Sequence, residues 1–373
     1  MTNTNNKRFV QIHALVSYPP SNLNRDDMGR PKTAVMGGKE RLRISSQSIK
    51  RAWRESEFFT DALSGHVGYR TKLLGEYVYK ALSSGCTLSD IFDGKNNPVN
   101  PKMDDAVAIA WAQVIAGVFA SVKATKEEPN NLKADQLVHV SHDEIRAIDK
   151  YIADISKSGK KPEKDSADSC KDLICRPVSD VDIALFGRMI ADTPKYSVEA
   201  AAQVAHPITI HPVVVEDDYF TAVDDLNKIE DNAGAGHLGT IEYGAGVFYT
   251  YVCINRELLI ENLGGDEKLA NDAIKALVEC VAMIGPKGKQ TTFGSRAYAS
   301  YMMVEQGNQQ PRSLAAAFIA PMRSENYVAE GIEKLRDEKK RIEDVYGKCS
   351  DIVAEFNVPK GTGKLDDILK TIG

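Results

Sequence analysis

The chain has 373 residues, 43% hydrophobic and 27% charged, with a net charge of −5. This is the composition of an ordinary globular protein, long enough for one large or two to three small domains. No run approaches the ~18 apolar residues of a membrane span, and the first residues, MTNTNNKR, lack the apolar segment of a secretory signal; the expectation is a cytoplasmic protein with no membrane partner.

The six cysteines, Cys86, Cys170, Cys175, Cys253, Cys280 and Cys349, are scattered and form no disulfide framework, which fits a reducing compartment. Cys170 and Cys175 are the one close pair. With no second pair at metal spacing, ordinary thiols are expected in place of a zinc site, and no metal or other cofactor is expected.

In chain order, Arg8 to Ser17 (RFVQIHALVS) sets Phe9, Gln11, His13 and Leu15 against Val10, Ile12, Ala14 and Val16. Both faces are partly apolar, as in a central strand. His13 is expected on the sheet or in the core rather than as a ligand. Tyr18, Pro19 and Pro20 end the strand, and SNLNRDDMGR forms a loop.

Arg25 to Arg54 concentrates positive charge. Arg25, Arg30, Lys32, Lys39, Arg41, Arg43, Lys50, Arg51 and Arg54 stand against Asp26, Asp27 and Glu40, nine cations to three acids, or +6 in 30 residues. Within an acidic protein such a block reads as a placed polyanion site. Gly37 and Gly38 permit a tight turn, after which Lys39, Arg41 and Arg43 alternate with Glu40, Leu42 and Ile44 as a strand with one basic face. Ser45 and Ser46 then offer an N-cap for a helix whose apolar side is Ile49, Ala52 and Trp53 and whose other residues include Gln47, Lys50, Arg51 and Arg54. A phosphate at that helix start would meet backbone N–H groups, hydroxyls, an amide and cations together. A solvated amphipathic helix after a charged strand is the alternative.

From about Gly65 to Pro177 the sequence turns helical, with helices expected over Tyr69–Leu82, Ala106–Lys123 and Ser141–Ile155. This reads as an insertion closing with SKSGKKPEKDSADSCKD, a mobile loop in which Lys157, Lys160, Lys161, Lys164 and Lys171 are either solvated or hold nucleic-acid phosphates without sequence preference. Val181 to Ile190 (VDIALFGRMI) is expected as a strand. From His206 to Gly246 two extended arms around a Gly-rich turn suggest a long hairpin or flap, with His206, His211 and His237 as packing or hydrogen-bonding histidines. Val247–Asn255 and Ala297–Glu305 read as strands, Asp266–Ile284 as an amphipathic helix, and 311–346 as helical and charge-laced. Between them PKGKQTTFGSRA carries Lys287, Lys289 and Arg296. The order of elements is compatible with a ferredoxin-like or RRM-like sheet interrupted twice.

Walker A, GxSxG and HExxH motifs are absent. Asp26 and Asp27 could bind a cation or assist strand cleavage, although a DD in a loop more often caps or pairs with arginines.

Four blocks carry a resemblance: LNRDDMGRPKTAVMGGKERLRISSQSIKRA, DIALFGRM, YFTAVDDL with AGHLGT, and GVFYTYVCIN. In order and spacing they resemble the CasC-type backbone subunits (RAMP-like) of type I-E CRISPR Cascade surveillance complexes over most of residues 9–305. The resemblance implies an α+β fold with an RRM-like palm (1–64, 179–205 and 247–373), helical fingers (65–178) and a β-hairpin thumb (206–246). It implies a non-catalytic protein that polymerises head to tail along the guide RNA (crRNA), six copies being usual, with large, small, head and tail subunits and target DNA as further partners. The matching palm block holds Arg25, Lys39, Ser45, Gln47, Lys50, Arg51 and Arg54, to which the basic strand adds Arg41 and Arg43. Met189 matches a methionine beside the RNA, and Phe220, Thr221 and Leu238 lie in the thumb blocks; Lys157, Lys160, Lys161 and Lys164 are candidates for the DNA backbone. The competing class is a backbone-type endoribonuclease cutting target RNA with Asp26 or Asp27.

Overall fold

The computed structural model describes residues 7–122, 131–163, 165–190, 194–222 and 237–373. The chain divides into two units, Met1–Ala62 with Ala202–Arg256 and Ile274–Gly373, and Leu63–Ala201 with Glu257–Ala273.

The first unit is built on an antiparallel sheet. Its middle strand, β1 (Phe9–Ser21), is buried from Val10 to Val16, as two apolar faces require. It pairs with Ala299–Gly307 on one side and His237–Asn255 on the other. Ile352–Asn357 and Ala202–Val204 extend the sheet at either end. Pro19 and Pro20 cannot donate to a ladder, and the pairing of β1 shifts between Tyr18 and Ser21. One face carries Leu15, Ile210, Tyr301, Phe318, Ile332 and Leu335 in a common core. Burying each such leucine or isoleucine contributes about 1.5–3 kcal/mol.

A buried carboxylate is built into this sheet. Glu305 accepts two bonds from Arg312 (2.7 and 3.1 Å) and one from the Ser350 hydroxyl (2.8 Å), with His13 Nε2 at 3.2 Å. Burial alone would raise the Glu305 carboxyl, but His13 and Arg312 outweigh it and hold it well below the usual range. Burial lowers His13, whose Nδ1 meets the Tyr249 hydroxyl at 2.8 Å.

The second unit is helical. Leu74–Ser84, Asp105–Gly117 and His142–Ser158 surround a core that includes Val78, Leu82, Ile115, Ile148 and Ile152, beside a short hairpin of Tyr69–Thr71 with Val138–Val140. Ser141 and Glu144 form a capping box at the start of the third helix.

Several expectations fail locally. The first strand does not end at Tyr18 to Pro20 but runs on to Ser21, and the helix expected over Ala106–Lys123 stops at Gly117. Tyr69–Thr71 is a strand, and the helix expected from Tyr69 begins at Leu74. Val181–Phe186 is a helix rather than a strand. The run is buried on every side, so its periodicity was uninformative; the buried Asp180 and Asp182 that flank its start bind His142 and Gly68, and Gly187 closes it at φ 79°. Residues 311–326 are not α-helical, having only the short turn Ala315–Phe318, because Pro321 would clash with a preceding helical turn; the helix runs over Tyr327–Tyr346, with Asn326 capping Ala329 N at 3.1 Å. The supposed loop after 156 is partly ordered, Lys157 closing the helix that ends at Ser158 and Ser166–Cys170 forming another.

The basic block begins with a hairpin, β2 (Thr33–Met36) and β3 (Lys39–Leu42). Gly37 and Gly38 turn it with φ of 61° and 70°, and a Cβ on Gly37 would lie 1.7 Å from the Ile319 carbonyl oxygen. Arg41, expected on the basic face, is instead wholly buried. Its guanidinium donates to the carbonyls of Thr209 (2.7 Å) and Phe318 (3.1 Å), fastening β3 to the sheet. Arg41→Met should leave both carbonyls without their donor and cost about 2–4 kcal/mol in urea unfolding. An unfolding midpoint equal to that of the unsubstituted chain would refute this role.

Candidate nucleic-acid interface

The segments leading into helix α1 (Ser46–Arg54) are stitched side by side by backbone bonds. Lys32 N donates to Asn24 O (2.8 Å), Arg43 N to Lys32 O (2.8 Å) and Ile44 N to Pro207 O (2.9 Å), while Ser45 N donates to the Asn24 side chain (2.8 Å). Ser45 takes the N-cap position with extended backbone, yet its hydroxyl makes no cap bond, and Ser45 and Ser46 are both buried. Ile49, Ala52 and Trp53 face inward, Trp53 Nε1 donating to Ile284 O at 3.1 Å. By the ~100° per residue of an α-helix, Gln47, Lys50, Arg51 and Arg54 share the opposite face within an arc of roughly 100°.

Two cationic surfaces flank this helix. One is a cleft of about 480 Å³ whose lining includes Arg25, Ser48, Arg51 and Lys287, with the carboxylates Asp26 and Glu55 at its wall. Glu55 binds Arg51 Nε at 2.8 Å and lies 3.8 Å from both Arg54 and Lys287. The other holds Arg43, whose NH1 stands 2.8 Å from His206 Nδ1. Burial lowers His206, and the charges of Arg43, Lys32 and Lys50 lower it further. Lys39 is exposed at the end of the β2–β3 turn.

The structure thus brings Arg25, Arg43, Gln47, Lys50, Arg51 and Arg54 around one helix and removes Arg41 from the surface. Asp26, the acid of interest in the same loop, is used structurally, its Oδ1 accepting from the N–H groups of Met28 and Arg30 at 2.9 Å each. Asp27 is exposed. Lys32, Lys287 and His206 join the site without having been assigned to it. Their charge was visible in the sequence, but the Arg43–His206 contact spans 163 residues and no local spacing encodes it.

The two arms of the flap pair as strands, Glu216–Ala222 with the first part of His237–Asn255. Phe220 lies opposite Gly239, where a Cβ would meet its ring at 2.4 Å, and Thr221 lies opposite Leu238, which is 55% exposed. The intervening Gly-rich turn, 223–236, lies outside the described residues. Gly234, Gly236 and Gly239 match a GxGxxG count; Gly239 lies within a strand and does not open a helix.

In the second unit Met189 is 79% exposed. Lys157 pairs with Asp154 at 3.7 Å, Lys160 and Lys161 are exposed, and the Lys160 carbonyl accepts from Trp111 Nε1 at 2.8 Å. Lys164 lies outside the described residues. Among the described residues no group of histidine, cysteine and acidic side chains could hold a metal ion.

Sheet and helices together define an α+β protein with a mostly antiparallel sheet and a localised cationic surface. The chain belongs to the CT1975-like protein family of Cas proteins, which it matches over residues 10–368. Its fold is similar to a chain of a solved "CRISPR RNA-guided surveillance complex, pre-nicking", with a TM-score of 0.80, 28% identity and coverage of 98% of this chain and 100% of that one. A chain of a second "CRISPR RNA-guided surveillance complex" matches at a TM-score of 0.57 and 26% identity, covering 98% and 93%. No curated protein sequence matches the chain.

Proposed function

We propose that this protein is a non-catalytic, crRNA-binding backbone subunit of a Cascade-type CRISPR surveillance complex, of the CasC kind found in type I-E systems. The observation that carries this reading is the end-to-end likeness, at 28% identity, to a chain of an RNA-guided surveillance complex. On this reading the sheet unit is an RRM-like palm, the helical insertion forms fingers, and the hairpin of Glu216–Ala222 with His237–Tyr243 is a thumb. Copies assemble head to tail along the guide, six being the expected number, with large, small, head and tail subunits beside them and target DNA paired to the guide. A cytoplasmic location accords with the lack, among the described residues, of a helix long and apolar enough to cross a membrane.

The α1 surface supplies suitable chemistry. Cations and amides gripping phosphates carry no sequence information, which leaves base edges free to pair with any target. Arg25, Lys39, Arg43, Ser45, Gln47, Lys50, Arg51 and Arg54 are the proposed backbone contacts, Met189 a neighbour of the bases, and Lys157, Lys160 and Lys161 contacts to DNA. Engagement of Asp26 in its own loop supports a structural use for that carboxylate rather than strand cleavage. Phe220 and Leu238 are apolar groups on a projecting hairpin, suited to wedge between guide bases at a cost of a few kcal/mol per step, offset by contacts to the strand.

Three outcomes are expected. Protein purified from cells expressing the whole complex should carry a discrete guide-length RNA at several protein copies per RNA, and complementary RNA with divalent metal should stay intact; regular cleavage products lost on Asp27→Ala would establish the nuclease class instead. Lys50→Ala with Arg54→Ala should weaken binding of all RNA sequences alike and reduce the magnitude of the salt slope by about 1.4, at ~0.7 per phosphate contact on a single strand. An altered base preference with an unchanged slope would contradict the assignment. Single mismatches along a target should be tolerated at regular intervals and penalised between them, and Phe220→Ala with Leu238→Ala should erase that rhythm. A penalty profile without periodic tolerance in the unsubstituted complex would sink the wedge.

A further inference from the structure

The edge of the α1 surface around His206 has a chemistry of its own. Lys32, Arg43 and His206 come from three segments that the bonds from Arg43 N to Lys32 O and from Ile44 N to Pro207 O hold side by side. The charged groups facing the His206 ring are Arg43, Lys32 and Lys50, all cationic. Neither Lys32 nor Arg43 pairs with a carboxylate among the described residues, in contrast to Arg51, Arg54 and Lys287, which share Glu55. Lys32 and Arg43, brought together without a carboxylate among the described residues, leave an unfilled demand for an anion.

The tautomer follows from the partner. A guanidinium can only donate, so at 2.8 Å from Arg43 NH1 the Nδ1 atom of His206 accepts, and the neutral ring carries its hydrogen on Nε2. A proton added at Nδ1 removes that lone pair, breaks the Arg43 contact and frees NH1 to donate elsewhere. A phosphate oxygen arriving between the two groups can accept from both.

We propose that Lys32, Arg43 and His206, with Lys50 beside them, form a phosphate-binding subsite at which His206 takes up a proton from solvent as the phosphate binds. The subsite rests on the RNA-binding reading for the source of its ligand, a backbone phosphate of the bound strand, while its chemistry would serve a free phosphate equally. The sign of the coupling is fixed. Burial, and after it the surrounding cations, hold the free imidazole below its ordinary value of 6.5. A bound dianion or phosphodiester relieves that repulsion and raises it, so binding consumes a proton and tightens as the pH falls.

Two measurements on the full chain decide the matter. In the first, histidine ring signals are followed by NMR against pH with and without inorganic phosphate. The His206 titration should begin below 6.5 and move upward with phosphate, the six other histidines of the seven should hold their positions as reporters of folding, and Arg43→Gln should abolish the movement. A His206 titration indifferent to phosphate overturns the subsite. In the second, affinity for single-stranded oligouridylate is measured from pH 5.5 to 8. Affinity should rise as the pH falls, by up to about tenfold per unit of the His206 shift, and His206→Gln should flatten the profile. A profile that His206→Gln leaves unchanged assigns the proton elsewhere and overturns the proposal for RNA. Oligouridylate that fails to bind at any pH while His206 answers to inorganic phosphate supports the subsite and counts against the RNA-binding reading.

Discussion

The cationic surface depends on a cation that never reaches it. Arg41 is wholly buried, and burying a charge costs several kcal/mol unless polar groups replace its water. Here the carbonyls of Thr209 and Phe318 do so for the two terminal nitrogens, each from a different part of the sheet unit, while Nε is left without an acceptor among the described residues and Thr209 Oγ1 also accepts from Leu42 N at 3.1 Å. The outcome is directional. With β3 pinned at Arg41 and Leu42, the chain must leave the sheet at Arg43, which places Arg43 against His206 and Ser45 against Asn24 before α1 begins. A lysine would not serve the same purpose, since only the fork of a guanidinium reaches two carbonyls at fixed angles.

The basic strand shows why local pattern and local function separate. Lys39, Arg41 and Arg43 occupy alternate positions of one segment, and a period of two puts them on one face. That face is not uniform in depth. Lys39 sits at the exposed turn, Arg43 at the margin and Arg41 between them beneath the loop that carries Ile319, so one face supplies a surface charge, a partner for His206 and an internal anchor. The depth profile is set by residues 207–211 and 318–322, which no spacing within 39–43 can announce. Amphipathic elements were legible for the opposite reason. The two-faced apolar β1 and the Ile49, Ala52, Trp53 side of α1 carry their burial in their own periodicity. The helix at Val181–Phe186 was not, because an element buried all round has no period to read, and its identity depends on Asp180 and Asp182 meeting distant donors.

The hairpin of Glu216–Ala222 with His237–Tyr243 follows a different logic. Its residues from 216 to 222 are exposed throughout, so no core of its own fixes it. Instead the second arm is continuous with the long strand His237–Asn255, whose later residues pair with β1, and the ladder of the buried part extends outward into the exposed one. The arms could be read from the extended character of the sequence around a Gly-rich turn. Their register could not, and it is the register that places Phe220 over Gly239, a position where a larger residue would require the Phe220 ring to shift.

Charge within the α1 surface is arranged to be moderate rather than maximal. On one flank Glu55 already holds Arg51, with Arg54 and Lys287 close by, so a phosphate entering the cleft must displace a carboxylate and gains only the difference. On the other flank Arg43 and Lys32 have no such competitor among the described residues, so an anion there would meet their full field. A protein basic on both sides without restraint would bind any cellular polyanion at a single site. On the proposed reading, with one flank restrained, each protein copy would contribute weak, sequence-blind contacts, and tight binding would require several copies on one strand, where effective concentration replaces individual affinity. On the proposed reading, that is the property a guide-bearing filament needs: firm on an RNA that threads the whole assembly, and loose on everything else.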